Sequence, residues 1–255
     1  MVKYSSDLDL LGIQASGSFD PRGRVTDAYG ISIVSTADRH ACWIGADVPN
    51  ALATELTAAV DAAPPSPTAT EPPAVLERCR RLLAADGRAL DQSGGPQFAF
   101  PDDTQFPSDA RIERSSAPPR PALRTANPGN WHPVEWAELL DGRLGPWTMA
   151  LDADRVVAVC HTPGPITAHG AECGVWTHPD FRGRGLAAAV TAAWAAILRP
   201  TGRHLFYSTD ADNRSSQRVA QRLRLRLLGW IWHLRAAREP AGGRMHPLSS
   251  LYRVG

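Results

Sequence analysis

The chain has 255 residues, enough for one large domain or two modest ones with their own cores. Apolar residues make up 43 %, and 27 basic residues against 26 acidic ones leave a formal net charge of +1. That balance gives no electrostatic footprint for nucleic acid, and no apolar run reaches the roughly 20 residues that a membrane-spanning helix needs.

The first twenty residues, with Gly12, Gly17 and several Ser and Asp, read as an irregular lead-in. Ile31–Ser35 and Ala41–Ile44 read as strands joined through Ala37-Asp38, a β-hairpin. Pro49–Val60 reads as a helix, with Pro49 at its first turn and Leu52, Leu56 and Val60 four apart. Ala63–Pro73 holds five prolines in eleven residues and must be extended. Ala74–Ala85 is a second helix, with Val75, Leu76, Cys79, Leu82 and Leu83 on one side, and Gln97–Phe100 is a short strand. The proline-rich stretch Ala117–Pro121 marks the expected boundary between a smaller α+β domain, 1–117, and a second domain, 118–255.

In the second part, Ala122–Thr125 reads as a strand and Asn130–Leu140 as a helix. Trp147–Leu151, Val156–His161 and Ala171–Thr177 follow as strands, then a helix over Gly185–Leu198. A strand over His204–Ser208, a helix over Ser215–Leu223, and closing strands Leu228–Leu234 and Ser249–Val254 complete a mixed α/β sheet. Cys42, Cys79, Cys160 and Cys173 show no C-x-x-C pair, no histidine set has zinc-ligand spacing, and no secretory leader is visible. A cytoplasmic protein with reduced thiols and no metal is expected.

The stretch that carries chemistry is Val175-Trp176-Thr177-His178-Pro179-Asp180-Phe181-Arg182-Gly183-Arg184-Gly185-Leu186-Ala187. A strand ends, Pro179 breaks it, and a glycine-rich turn opens a long apolar helix. Unpaired N–H groups and the positive dipole end of that helix suit a pyrophosphate, and Arg182 and Arg184 add charge. Gly183 and Gly185 let the backbone come close to a ligand.

This stretch resembles the Q/R-x-x-G-x-G/A motif of the GCN5-related N-acetyltransferase (GNAT) family, with Arg182, Gly185 and Ala187 at the fixed places. The resemblance runs from about Leu123 to Gly255 and includes Asn213 and Ser216, which match an Asn-x-x-small pattern beside the cofactor's pantetheine arm. Asn213 is equally suited to capping a helix. The resemblance implies a GNAT-like acyl-CoA-binding fold, with acetyl-CoA as acyl donor and a small-molecule or peptide amine as acceptor. It implies that Val175, Trp176 and Thr177 line the pantetheine, and that Arg182, Gly183, Arg184, Gly185, Leu186 and Ala187 hold the pyrophosphate. It puts a general base at Glu172, which could also be a structural ion pair. The family's usual acid, a tyrosine seven residues after the Asn, is replaced by Ala220, and the glycine common after that helix by Arg224. Tyr207 and Tyr252 are the substitutes, each of which reads more readily as a core or sheet residue. Trp131, Trp136 and Trp147 could line an acceptor pocket or serve as core. Two readings follow: an N-acetyltransferase, or an acyl-CoA-binding module without catalysis. The N-terminal domain, which has no such loop, is expected to bind no cofactor and to shape the acceptor side.

Overall fold

A computed structural model describes residues 6–237 except 27, 28, 67, 69 and 86. The closing strand expected at Ser249–Val254, and Tyr252 with it, lie outside the described residues. The architecture is mixed α/β, in two compact units. Over the described residues, unit 1 gathers 6–98, 208–213 and 227–237, and unit 2 gathers 99–207 and 214–226.

Unit 1 starts with a helix, α1 (Asp7–Ala15), where an irregular lead-in was expected. The signal lay in Ser6 and Asp9: the Ser6 side chain accepts from the Asp9 N–H while the Asp9 carboxylate accepts from the Ser6 N–H, a reciprocal cap. Leu10, Leu11 and Ile13 are its buried residues. The hairpin forms as β1 (Gly30–Ser35) and β2 (His40–Ile44), and the two helices as α2 (Asn50–Asp61) and α3 (Ala74–Leu83). The short strand expected at Gln97–Phe100 is the end of a ten-residue strand, β3 (Leu90–Ala99). Gly94 and Gly95 disguised it, and close approach is why they stand there. A Cβ on Gly95 would come within 1.9 Å of the Thr209 carbonyl oxygen, and one on Gly94 within 2.5 Å of that of Ile231. The last described strand, β9 (Arg226–Ala236), pairs antiparallel with β1, so the strand order in unit 1 is β2-β1-β9-β3. Ile31, Ile33, Leu56, Val60, Leu76, Leu83, Trp232 and Leu234 form its core.

Unit 2 contains β4 (Arg111–Arg114), α4 (Pro133–Leu140), β5 (Trp147–Asp152), β6 (Arg155–His161), β7 (Gly170–Thr177), α5 (Leu186–Leu198), β8 (His204–Ser208) and α6 (Arg214–Arg222). Its strand order is β8-β7-β6-β5-β4, antiparallel except for the parallel pair β7–β8. Pro121–Thr125 is a 3₁₀ turn rather than the expected strand, because Pro121 sets its first residue and Leu123 N–H returns to Arg120 O. The compact units part at 98/99 and not at 117/118. The unforeseen β4 joins β5 in unit 2, and β9 returns to unit 1.

The two faces of the unit 2 sheet are unlike. On one, α5 is held by Thr148 Oγ1 donating to Val190 O (2.6 Å) and Trp194 Nε1 donating to Thr162 Oγ1 (3.1 Å), each worth about 1 kcal/mol net. On the other, Trp136, Leu139, Trp147, Met149 and Val159 pack with Leu123 and Trp131. Of the three tryptophans, only Trp136 has its indole N–H matched, by Leu123 O at 2.9 Å.

Candidate active site

The site is built where β7 leaves β8. Pairing with β8 runs from Gly170↔His204 to Cys173↔Tyr207 and stops, while pairing with β6 continues to Ala158↔Thr177. Among the described residues no strand pairs with Gly174–Thr177 on the side away from β6. Alternation decides which backbone groups face that gap. His178 N–H donates to Val157 O, so Trp176 and Gly174 also turn their N–H and C=O toward β6. Val175 and Thr177 therefore turn theirs toward the gap. Arg182 Nε, which donates to Thr177 O at 3.4 Å, agrees with that direction. The Thr177 hydroxyl is buried and has no partner. A strand with the main-chain groups of Val175 and the Thr177 N–H open, and an orphaned hydroxyl beside them, fits an amide-rich arm such as pantetheine. Trp176, taken with them from the sequence, packs instead on the α4 face.

Beyond Thr177 the chain turns through Pro179–Phe181, closed by Phe181 N–H to His178 O and Arg182 N–H to Pro179 O. Gly183 and Gly185 both take left-handed backbone angles, φ +80° and +82°, which other residues adopt only under strain. Gly185 is the N-cap of α5 and has no side chain to accept from the helix's first N–H groups. Ser, Asp or Asn there would satisfy one of them; glycine leaves them for a ligand anion. A Cβ at Gly185 would meet the Phe106 ring at 3.3 Å, so Phe106 walls this turn. Arg222 Nη1 lies 3.9 Å from the same point, a cation that the sequence reading did not assign. Arg222 closes an i, i+4 run with Arg214 and Arg218 on α6, the spacing that could have flagged it. Arg184 lies over the Phe181 ring (4.6 Å) and donates to Asp180 O.

The remaining expected residues separate. Glu172 pairs with Phe206 and shares its face with Gly174 and Trp176, the α4 side. Tyr207 pairs with Cys173 and so lies on the α5 side, the opposite face. It is buried, burial raises its phenol above the ordinary range, and its hydroxyl is bonded to Ser216 Oγ at 2.5 Å. The two side chains expected to act together are thus not brought together, and Ser216 is engaged by Tyr207. Ala220 is fully buried, leaving no room for a tyrosine. Asn213, in unit 1, immediately precedes α6, and its N–H donates to Asp210 O. His178 makes edge contacts with Trp176 and Phe181. Sequence reasoning passed over His161, which shares the Glu172 face and is 7 % exposed. Among the described residues no helix is long and apolar enough to cross a membrane, and no group of acidic, His or Cys side chains could hold a metal ion.

A family model described as GNAT acetyltransferase matches residues 142–227, about a third of the chain and nearly all of the site. No curated protein matches the sequence. Among the solved structures that are similar, three are the following. A putative GNAT-family acetyltransferase from Novosphingobium aromaticivorans has 20 % identity over 92 % of this chain and 100 % of that one, with a TM-score of 0.49. A GCN5-related N-acetyltransferase from Kribbella flavida has 14 % identity over 94 % and 97 %, with a TM-score of 0.45. A GNAT-family acetyltransferase from Colwellia psychrerythraea has 13 % identity over 62 % of this chain, which spans 61 % of that protein, with a TM-score of 0.46.

Proposed function

We propose that this chain, whose residues 142–227 carry a GNAT acetyltransferase domain, moves an acetyl group from acetyl-CoA to the nitrogen of an amine. The observation that supports this best is the gap beyond Cys173↔Tyr207, followed directly by an uncapped, glycine-opened helix. The main-chain groups of Val175 and the Thr177 N–H, turned to the gap, suit the amides of the pantetheine arm. The free N–H groups of Leu186 and Ala187, with Arg182, Arg184 and Arg222 near them, suit the pyrophosphate. Glu172, beside the gap, is the candidate base that takes the acceptor from its ammonium form to the free amine. The buried Ala220 favours a second reading, in which the site holds acyl-CoA without transferring it.

Reversing the exposed loop charges tests the first step. Arg182→Glu with Arg184→Glu should weaken acetyl-CoA binding roughly tenfold or more in a calorimetric titration, through lost charge-assisted bonds and added repulsion. Unchanged affinity in a folded double variant would remove the loop from the reading. Release of free thiol from acetyl-CoA in the presence of small amines separates transfer from mere binding.

A further inference from the structure

His161 ends β6 between Trp147 of β5 and Gly174 of β7. Trp131 meets its ring edge-on, with centroids 4.7 Å apart. Its Cε1 lies 3.5 Å from where a Cβ on Gly174 would stand, an ordinary contact, so the imidazole lies directly against the strand; Pro163 Cγ, at 3.2 Å, crowds that point more closely. Neither Nδ1 nor Nε2 makes a hydrogen bond of ordinary geometry, the Gly174 backbone bearing on the ring only weakly, and the indole Nε1 atoms of Trp131 and Trp147 are also buried without a partner. Buried polar side chains are nearly always bonded, and an orphaned group costs stability. Position supplies a reason for the cost. Gly174 is the first β7 residue past the last β7–β8 pair, and Glu172 shares the face one pleat away.

Resting on the reading of the gap as the acyl donor's seat, we propose that His161 is a further catalytic residue, carrying the proton from the acceptor amine to the leaving sulfur. As the amine nitrogen bonds to the acyl carbon, an imidazole nitrogen takes the N–H proton. As the C–S bond breaks, its electron pair stays on sulfur and the imidazolium gives that sulfur the proton. Amine and thioester become amide and thiol, with no proton gained or lost. Burial lowers the imidazole to about 4, so it is neutral and able to accept at pH 7. Its protonated form is then a far stronger acid than a thiol of pKa about 8.5, and the second transfer runs downhill. This supplies the acid that Ala220 cannot be and that Tyr207, on the other face, is not placed to be.

The test uses the whole chain, with acetyl-CoA as donor and ethanolamine, benzylamine, spermidine and water as acceptors. His161→Gln and His161→Gly should bind acetyl-CoA as the wild type does in calorimetry. Thiol release should fall by roughly 10²–10⁴-fold in both. Added imidazole should restore part of the rate in His161→Gly, where the ring's space is open, and none in His161→Gln. A His161→Gln protein with the wild-type rate overturns the proposal. So does a loss that imidazole does not relieve in His161→Gly, which assigns the ring to packing, or a wild-type protein that binds acetyl-CoA and releases thiol with no acceptor. A wild-type protein that fails to bind acetyl-CoA takes down the reading beneath it as well.

Discussion

Each unit sets a shielded histidine on a strand, half-buried at His233 in unit 1 and buried at His161 in unit 2, and the two are kept differently. In unit 1, His233 on β9 lies beside Ser32 on β1, and Nδ1 and the Ser32 hydroxyl are 2.7 Å apart. In unit 2, His161 has aromatic neighbours and no hydrogen bond of ordinary geometry, only the weak influence of the Gly174 backbone. Burial depresses both, to about 3 for His233 and about 4 for His161. A depressed value therefore says only that a ring is dry. The difference lies in the partner: the satisfied ring belongs to the architecture of its sheet, and the unsatisfied one stands at the mouth of a strand gap.

The strongest way to press on this comparison is to ask whether unit 2 exists without the rest of the chain. A protein starting at Pro121 would respect the proline-rich stretch as a boundary. It would also delete β4, leaving the β5 edge with its four paired residues Thr148–Leu151 uncovered. It would delete β1 too, the antiparallel partner of β9. Exposed, unpaired edges of this kind template aggregation. We expect such a protein to be insoluble or to lack a cooperative thermal transition, where the full chain has one. A folded, cooperative product would mean that the satisfied unit is dispensable to the open one.

Acid separates the histidines less drastically. In the unfolded chain both rings protonate near pH 6.5; in the folded chain both stay neutral to about 4 or below. Below about pH 6.5 the unfolded state thus binds more protons, and stability falls as pH falls. It levels only beneath the folded values. Each ring contributes up to about 1.4 kcal/mol per pH unit in that window. His233→Gln should lower stability at pH 7 but flatten the loss between pH 7 and pH 5 by about 2 kcal/mol in urea titrations, with thiol release unaffected. An unflattened loss would show that acid reaches His233 in the folded protein.

How much of this could be read from sequence divides along the same line. The loop from Arg182 to Ala187 was legible because glycine positions and a proline stop are local signals, and both glycines do adopt left-handed angles. The faces of Val175 and Thr177 followed from strand alternation once the register was fixed. Tyr207, which the sequence offers as a substitute acid or as a core residue, lies on the face opposite Glu172, and that placement was not legible because register is set by pairing between strands, not by either strand alone. β4 was missed because Arg-Ile-Glu-Arg shows almost no apolar alternation; its strand character comes from the edge of β5. β3 was cut short because Gly94-Gly95-Pro96 reads as a turn until the backbone that crowds it is known. His161 looked like any strand-end histidine, since the lack of a partner is a property of its neighbours.

The smallest effect concerns the place where the family pattern expects a glycine and this chain has Arg224. The end of α6 shows why a glycine would suit. Leu225 N–H donates to Ala220 O and Arg224 N–H to Gln221 O, the paired bonds of a helix stop whose middle residue must be left-handed. Arg224 takes φ +52° there, and it is exposed, so no packing repays the strain. A non-glycine residue in that region costs about 1 kcal/mol. Replacing it with glycine also loosens the unfolded chain, which returns part of that gain. Arg224→Gly should therefore stabilise the protein by about 0.5 kcal/mol, read as a small rise in the urea midpoint at constant slope, and leave acetyl-CoA affinity as it was. A fall in affinity would give Arg224 a part in holding the donor, and α6 with the turn after it would then contribute two arginines to the open site instead of Arg222 alone.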